Sequence, residues 1–221
     1  MQFFKNTGGR KIVMAVTGIL MVLFIFAHLT GNISVFAEPG SINAYAAKLH
    51  SLSLFVWAYR FIIFSALSLH VFFGIQITLE NYAAKPEAYE VRRNLRSTFA
   101  SRTMIWTGLA IAAYLIFHLL HFTFHAVFPV KHIDSSGRPD VFRMLVLSFQ
   151  SFFISSVYIA AIAAVALHLA HGIQSSFQTL GINNERTFPV ITKSGMLAAI
   201  IIFLGYIAIP VFVLAGVLRF L

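Results

Sequence analysis

Five long apolar stretches joined by short polar segments make up most of the chain. They run at roughly residues 12–36, 54–79, 103–128, 145–178 and 194–218, and each reaches the about 20 residues a helix needs to cross bilayer hydrocarbon. None alternates apolar and polar residues with a period of two, so the pattern predicts helices and not the strands of a barrel. The expected fold is an all-α integral membrane protein, a bundle of five transmembrane helices forming a single domain over residues 1–221. The intervening segments 38–53 and 129–140 contain Pro39, Gly40, Gly137 and Pro139 and read as turns.

The first apolar run, preceded by Lys5, Arg10 and Lys11, has the outline of a secretory leader. It is too long for a leader's apolar core, however, and it carries His28 and Asn32, so it is expected to stay as a membrane span. Five spans put the two ends of the chain on opposite sides. With the N-terminus inside, that side holds Lys5, Arg10, Lys11, Lys85, Arg92, Arg93, Arg96, Arg102, Arg186 and Lys193, ten of the sixteen basic residues. The excess of basic residues on inner loops therefore predicts a cytoplasmic N-terminus. The formal net charge of +9 reads as this orientation signal and not as a nucleic-acid surface. Trp57 and Trp106, near helix starts, read as interface anchors.

Hydrophobic residues make up 59% of the chain and charged residues 10%, too apolar for a water-soluble domain of this length. Cysteine is absent, which excludes disulfides, iron–sulfur ligation by this chain and covalent haem attachment. No loop is large enough for a soluble catalytic domain. Chemistry must therefore lie within the helices or on a partner.

The polar exceptions inside the spans are histidines. An ionisable side chain within a span costs about 2 kcal/mol or more and marks an inward-facing functional position by default. His28, His70, His118 and His168 fall in four different spans and are embedded in two repeated phrases. Thr17-Gly18 precedes His28 as Thr107-Gly108 precedes His118, with ten residues from glycine to histidine in each. His70-x-x-x-Gly74-Ile75-Gln76 is matched by His168-x-x-x-Gly172-Ile173-Gln174. A glycine one turn beyond a histidine, on the same face, leaves room for a flat macrocycle to approach the helix. Close helix packing is the simpler reading of either glycine alone.

Helix rise sorts the four histidines by depth. At 1.5 Å per residue, His28 and His118 lie roughly 4–6 Å beyond the centres of their spans toward the outside, while His70 and His168 are displaced inward. The pairs His28/His118 and His70/His168 are thus expected to hold two stacked haems b, each iron closed by two imidazoles and suited to electron carriage. The spare nitrogen of each ring should donate to a carbonyl or hydroxyl. Carboxylate-based metal sites fit poorly, since no Asp or Glu lies in the middle of a span. His121, His125 and His171 remain as packing residues or as contacts to a haem propionate or a quinone. Arg60 and Arg143 are candidate propionate partners by charge.

Taken as an ordered set, His28-Leu29 with Asn32, His70 with Gly74, His118 ten residues after Gly108, and His168-x-x-x-Gly172 leading into Phe177-Gln178-Thr179-Leu180-Gly181 resemble a known family. It is the five-helix, di-haem cytochrome b membrane anchor of succinate dehydrogenase and fumarate reductase, and the resemblance covers nearly the whole chain. It implies that His28 and His118 hold the haem distal to the soluble subunits and His70 and His168 the proximal one. It further implies a flavoprotein and an iron–sulfur subunit docked on the cytoplasmic side of a bacterial cytoplasmic (inner) membrane, with electrons passing to a quinone, menaquinone being the expected one. Ala166 stands where proton-moving fumarate reductases of the family carry Glu, which favours succinate oxidation. Other readings are a cytochrome b subunit of a hydrogenase or formate dehydrogenase, and a haem-free proton-coupled transporter.

Overall fold

The computed structural model describes residues 6–84, 98–129 and 132–220. Several basic residues behind the expected orientation, Lys5, Lys85, Arg92, Arg93 and Arg96, lie outside them. The described chain forms eight α-helices: α1 Thr7–Ile33, α2 Pro39–Ser51, α3 Ser53–Ala83, α4 Phe99–Arg102, α5 Met104–His118, α6 Val141–Phe149, α7 Phe152–Thr179 and α8 Thr187–Leu214. A 3-10 turn Ser34–Phe36 extends α1, and a π-helical turn Leu119–Thr123 extends α5. Five of these, α1, α3, α5 with its π turn, α7 and α8, are long and apolar enough to cross a membrane.

Helix ends depart from the ends of the apolar runs where backbone chemistry and hydrophobicity part company. The side chain of Asn6 accepts from the Gly9 amide and starts α1 before Arg10 and Lys11. Residues 38–53, expected to be a turn, contain helix α2, because Pro39 sits in the first turn where its missing N–H costs nothing. The span expected at 145–178 is two helices. Ser151 is extended and caps α7, and the buried Ser155 hydroxyl donates to the Phe149 carbonyl at 2.6 Å, satisfying an acceptor freed at the end of α6.

Helix α7 packs against α8, α5 and α1, and α1 packs against α3. The helices α1, α3, α5 and α7 therefore form one group, with α8 laid against α1 and α7. Over the end of the bundle opposite the start of α1, α2 and α6 form a cap held by the buried Asn43. Its carbonyl accepts from the Phe142 amide at 3.0 Å and its amide donates to Asp140 at 3.1 Å. Val146, Phe149, Ile154, Tyr158 and Ile209 continue the core beneath that cap. At the other end Arg10, itself buried, pairs with Glu80 and ties α1 to α3. Helix α3 buries only Ala66, Phe73 and Ile77 among its 31 residues. Leu54 and Phe61, 85% and 73% exposed, need lipid rather than water around them.

Candidate functional site: two facing histidine pairs

Four helices bring four imidazoles together two by two. His28 of α1 faces His118 at the end of α5, with ring centroids 6.2 Å apart and planes at 88°. His70 of α3 faces His168 of α7 at 6.4 Å and 64°. The second is the near pair, closer to the start of α1; the first is the far pair. The two are set apart along the helices, since Thr17 of α1 touches His70 and His28 stands eleven residues further on, about 16 Å at the α-helical rise.

The near pair has a well-defined proton arrangement. The Met14 carbonyl lies 3.1 Å from His70 Nδ1, and a carbonyl can only accept, so Nδ1 carries the proton. The Thr17 hydroxyl donates to its own helix at the Val13 carbonyl, 2.7 Å, and its oxygen accepts from His70 Nδ1 at 3.3 Å. On the other side Thr107 repeats the device. Its hydroxyl donates to the Thr103 carbonyl at 3.0 Å and its oxygen lies 3.1 Å from His168 Nδ1. With the proton on Nδ1, Nε2 of His70 keeps the lone pair that a metal requires, and His168 offers the same where Thr107 accepts from its Nδ1. A Cβ added at Gly18 would meet His70 Cε1 at 3.3 Å, and one at Gly108 would meet His168 Cε1 at 3.4 Å.

The far pair is held differently. His118 Nδ1 lies 3.5 Å from the Tyr158 hydroxyl, which is shared with His121 Nδ1 at 3.0 Å. His28 makes no side-chain hydrogen bond among the described residues; its ring stacks on Phe24 at 5.5 Å and stands 6.2 Å from Tyr206.

The remaining candidates separate by environment. His121 is 1% exposed, with its second nitrogen 3.2 Å from the Ser148 hydroxyl, which is how a packing histidine satisfies itself. None of the four paired histidines is buried to that degree. His171 is half-buried without a hydrogen bond among the described residues. His125 has left the helix at φ 52°, with Nδ1 buried and unpartnered. A Cβ at Gly74 would meet nothing within 4 Å and one at Gly172 only the Met104 methyl at 3.9 Å, so both positions border open space. Arg60 stacks over Trp57 at 5.1 Å and, with His50 and Ser53, lines a cavity of about 100 Å³. Arg143 lies over Phe220 at 5.4 Å.

Family models, curated proteins and solved structures give no match to this chain. What the site can bind must come from its own groups. Among the described residues no cluster of three or more His, Asp or Glu side chains could hold a metal ion by itself, which leaves the two-imidazole pairs. A first-row metal holds an imidazole nitrogen at about 2.0 Å and the ring centroid lies roughly 1.15 Å behind that nitrogen, so two imidazoles trans on one metal have centroids about 6.3 Å apart. Both observed separations, 6.2 and 6.4 Å, fit that requirement. His28 with His118 and His70 with His168 could each hold a flat metal-bearing group between their rings, and the clear helix surface at Gly74 and Gly172, one turn beyond His70 and His168, would leave room for it.

The sequence phrases Thr17-Gly18 and Thr107-Gly108 serve histidines on neighbouring helices and not the histidine that follows them. The longer phrase Met14-x-x-Thr17-Gly18, repeated as Met104-x-x-Thr107-Gly108, marks both positions without showing which helix they touch.

Proposed function

We propose that the chain is the membrane-anchor and electron-transfer subunit of a succinate dehydrogenase, with His28 and His118 ligating one haem b and His70 and His168 a second. The observation that carries this reading is the meeting of four histidines from four helices as two pairs at metal-bridging separation. Haem b supplies reversible one-electron chemistry at an iron closed by two imidazoles.

The chain's own groups do the rest. His70 and His168 offer Nε2 because their protons are held at Nδ1 by Thr17, the Met14 carbonyl and Thr107. Gly74 and Gly172 keep the helix surface clear beside the near pair. The apolar faces of α3 and α8 keep bulk water from the bundle. In this reading the start of α1 faces the cytoplasm of a bacterium, where an iron–sulfur subunit and its flavoprotein dock near the near pair, and the far pair serves electron exchange with a quinone, with menaquinone the expected one.

The test is a reduced-minus-oxidised spectrum of the chain purified from membranes with whatever binds it. A b-type signal at two haems per chain, with flavin and iron–sulfur protein co-purifying, supports the reading. A colourless chain would refute it, and two haems with a hydrogenase or formate dehydrogenase instead would move it to another respiratory enzyme.

A further inference from the structure

The near pair, from α3 and α7, and the far pair, from α1 and α5, are supported in unlike ways, and the difference lies in what stands behind each imidazole. Behind His70 and His168 the arrangement is the same in every part. A methionine carbonyl, a threonine hydroxyl and a glycine with no side chain come from one turn of the neighbouring helix, in the order Met-x-x-Thr-Gly. At Thr17 the ring contact is 3.3 Å and at Thr107 3.1 Å, and the two glycines meet the ring carbon at 3.3 and 3.4 Å. Both threonines are more than nine-tenths buried. Each hydroxyl also approaches the carbonyl three residues back, Met14 at 3.2 Å and Met104 at 3.1 Å, so carbonyls of its own helix are at hand for its hydrogen. Its oxygen is then free to accept from the imidazole.

We infer that Met-x-x-Thr-Gly is a receptor for an imidazole of the adjacent helix, and that Thr17 and Thr107 are positioning residues that hold His70 and His168 with the proton on Nδ1 and Nε2 free for ligation. The glycine lets the ring edge come within reach of the helix backbone, and the hydroxyl oxygen joins the methionine carbonyl as a second acceptor that favours the proton on Nδ1. Among the described residues nothing equivalent stands behind His28. His118 has instead a longer contact to a tyrosine that also serves His121. The receptors therefore act on one of the two centres, although they sit on the helices that supply the ligands of the other. The consequence for a bound metal rests on the haem reading; the proton placement does not.

The experiment compares wild type with Thr17→Val, Thr107→Val, Thr17→Ser and Thr107→Ser in the full chain in bilayers. Valine keeps the threonine shape and removes the acceptor; serine restores it. Nitrogen-15 spectra of labelled histidine read the tautomer in the chain free of haem, where Nε2 carries no metal. In the chain free of haem, as isolated or after haem extraction, His70 and His168 should be protonated mainly at Nδ1 in wild type and in the serine variants, with a larger Nε2-protonated fraction in the valine variants, where the methionine carbonyl is left as the acceptor. Where haem is present, the valine variants should raise the midpoint potential of one haem only, because a ligand that has lost a hydrogen-bond acceptor donates less charge to its iron; the serine variants should return it. Nε2-protonated rings in wild type, valine variants indistinguishable from wild type, or serine variants that behave like valine would overturn the inference. A haem-free chain with the expected tautomers would retain the receptor and discard the electron-transfer reading.

Discussion

Gly205 of α8 lies against Leu29 of α1, next to His28, and the contact permits a quantitative test of how tightly the helices are set. A Cβ at Gly205 would stand 2.8 and 3.0 Å from the two methyl carbons of Leu29. Carbon atoms rest at about 3.5–4.0 Å, so Gly205→Ala requires Leu29 to retreat by about 1 Å. Leu29 is 4% exposed, so its methyls can retreat only by turning into neighbours already packed around them. Overpacking of this kind costs about 1–3 kcal/mol, offset by about 1 kcal/mol of helix propensity gained on replacing glycine. A net loss of roughly 1 kcal/mol is expected. Leu29→Val removes the collision, so Gly205→Ala should cost less in that background, with a coupling energy of about 1 kcal/mol. Helicity followed through detergent-induced unfolding of the four proteins measures it. Additive costs, or a Gly205→Ala chain more stable than wild type, would mean that α1 and α8 are not in the described contact.

Further outcomes follow from the site and the cap. His28→Ala or His118→Ala should remove one haem and leave the other, and His70→Ala or His168→Ala should remove the complementary one, read as haem per chain and by which spectral component survives. His121→Leu should keep both haems yet lose about 1–3 kcal/mol of stability, since the buried Tyr158 and Ser148 hydroxyls lose a partner, whereas His171→Ala should lie within about 0.5 kcal/mol of wild type; equal costs at the two positions would contradict the environments described. Asp134 accepts from the Arg138 and Ser136 amides and the Arg138 guanidinium. These bonds, the Arg138 amide foremost, hold its carboxyl below the usual carboxylate range. A depressed carboxyl contributes stability that is complete above the unfolded value of about 3.9 and lost as pH falls through the folded one. The Ser136 and Arg138 amide signals should therefore titrate together on the acid side of that value, and a midpoint above it would refute the assignment.

The five spans were legible because a run of about twenty apolar residues suits almost nothing but a bilayer. The meeting of His28 with His118 and of His70 with His168 was legible too, because a straight helix converts residue number into depth. Helix ends were less so: Arg10 and Lys11 leave the apolar run but not α1, since charge at a helix end ends burial in lipid and not backbone hydrogen bonding. The break at Gln150 and Ser151 falls where uncharged polar residues interrupt an otherwise apolar run without ending it, and α2 hides behind a proline and a glycine that usually mark turns. His121 could not be told from a ligand by periodicity, because what distinguishes it, Tyr158 on one side and Ser148 on the other, comes from helices distant in sequence. The partners of Thr17 and Thr107 were invisible for the same reason. A repeat along one helix says that a phrase matters; which neighbour it touches is decided by packing.

Helix α1 meets one pair through Thr17 and supplies the other through His28, and α5 does the same through Thr107 and His118. A single amino acid inserted or deleted between those points would swing everything beyond it by about 100° around the helix axis and shift it by about 1.5 Å. The connecting loops carry no such constraint. Length variation among functioning versions of this chain should therefore collect in the loops, and the spacers 17–28 and 107–118 should keep their count even where every intervening side chain differs.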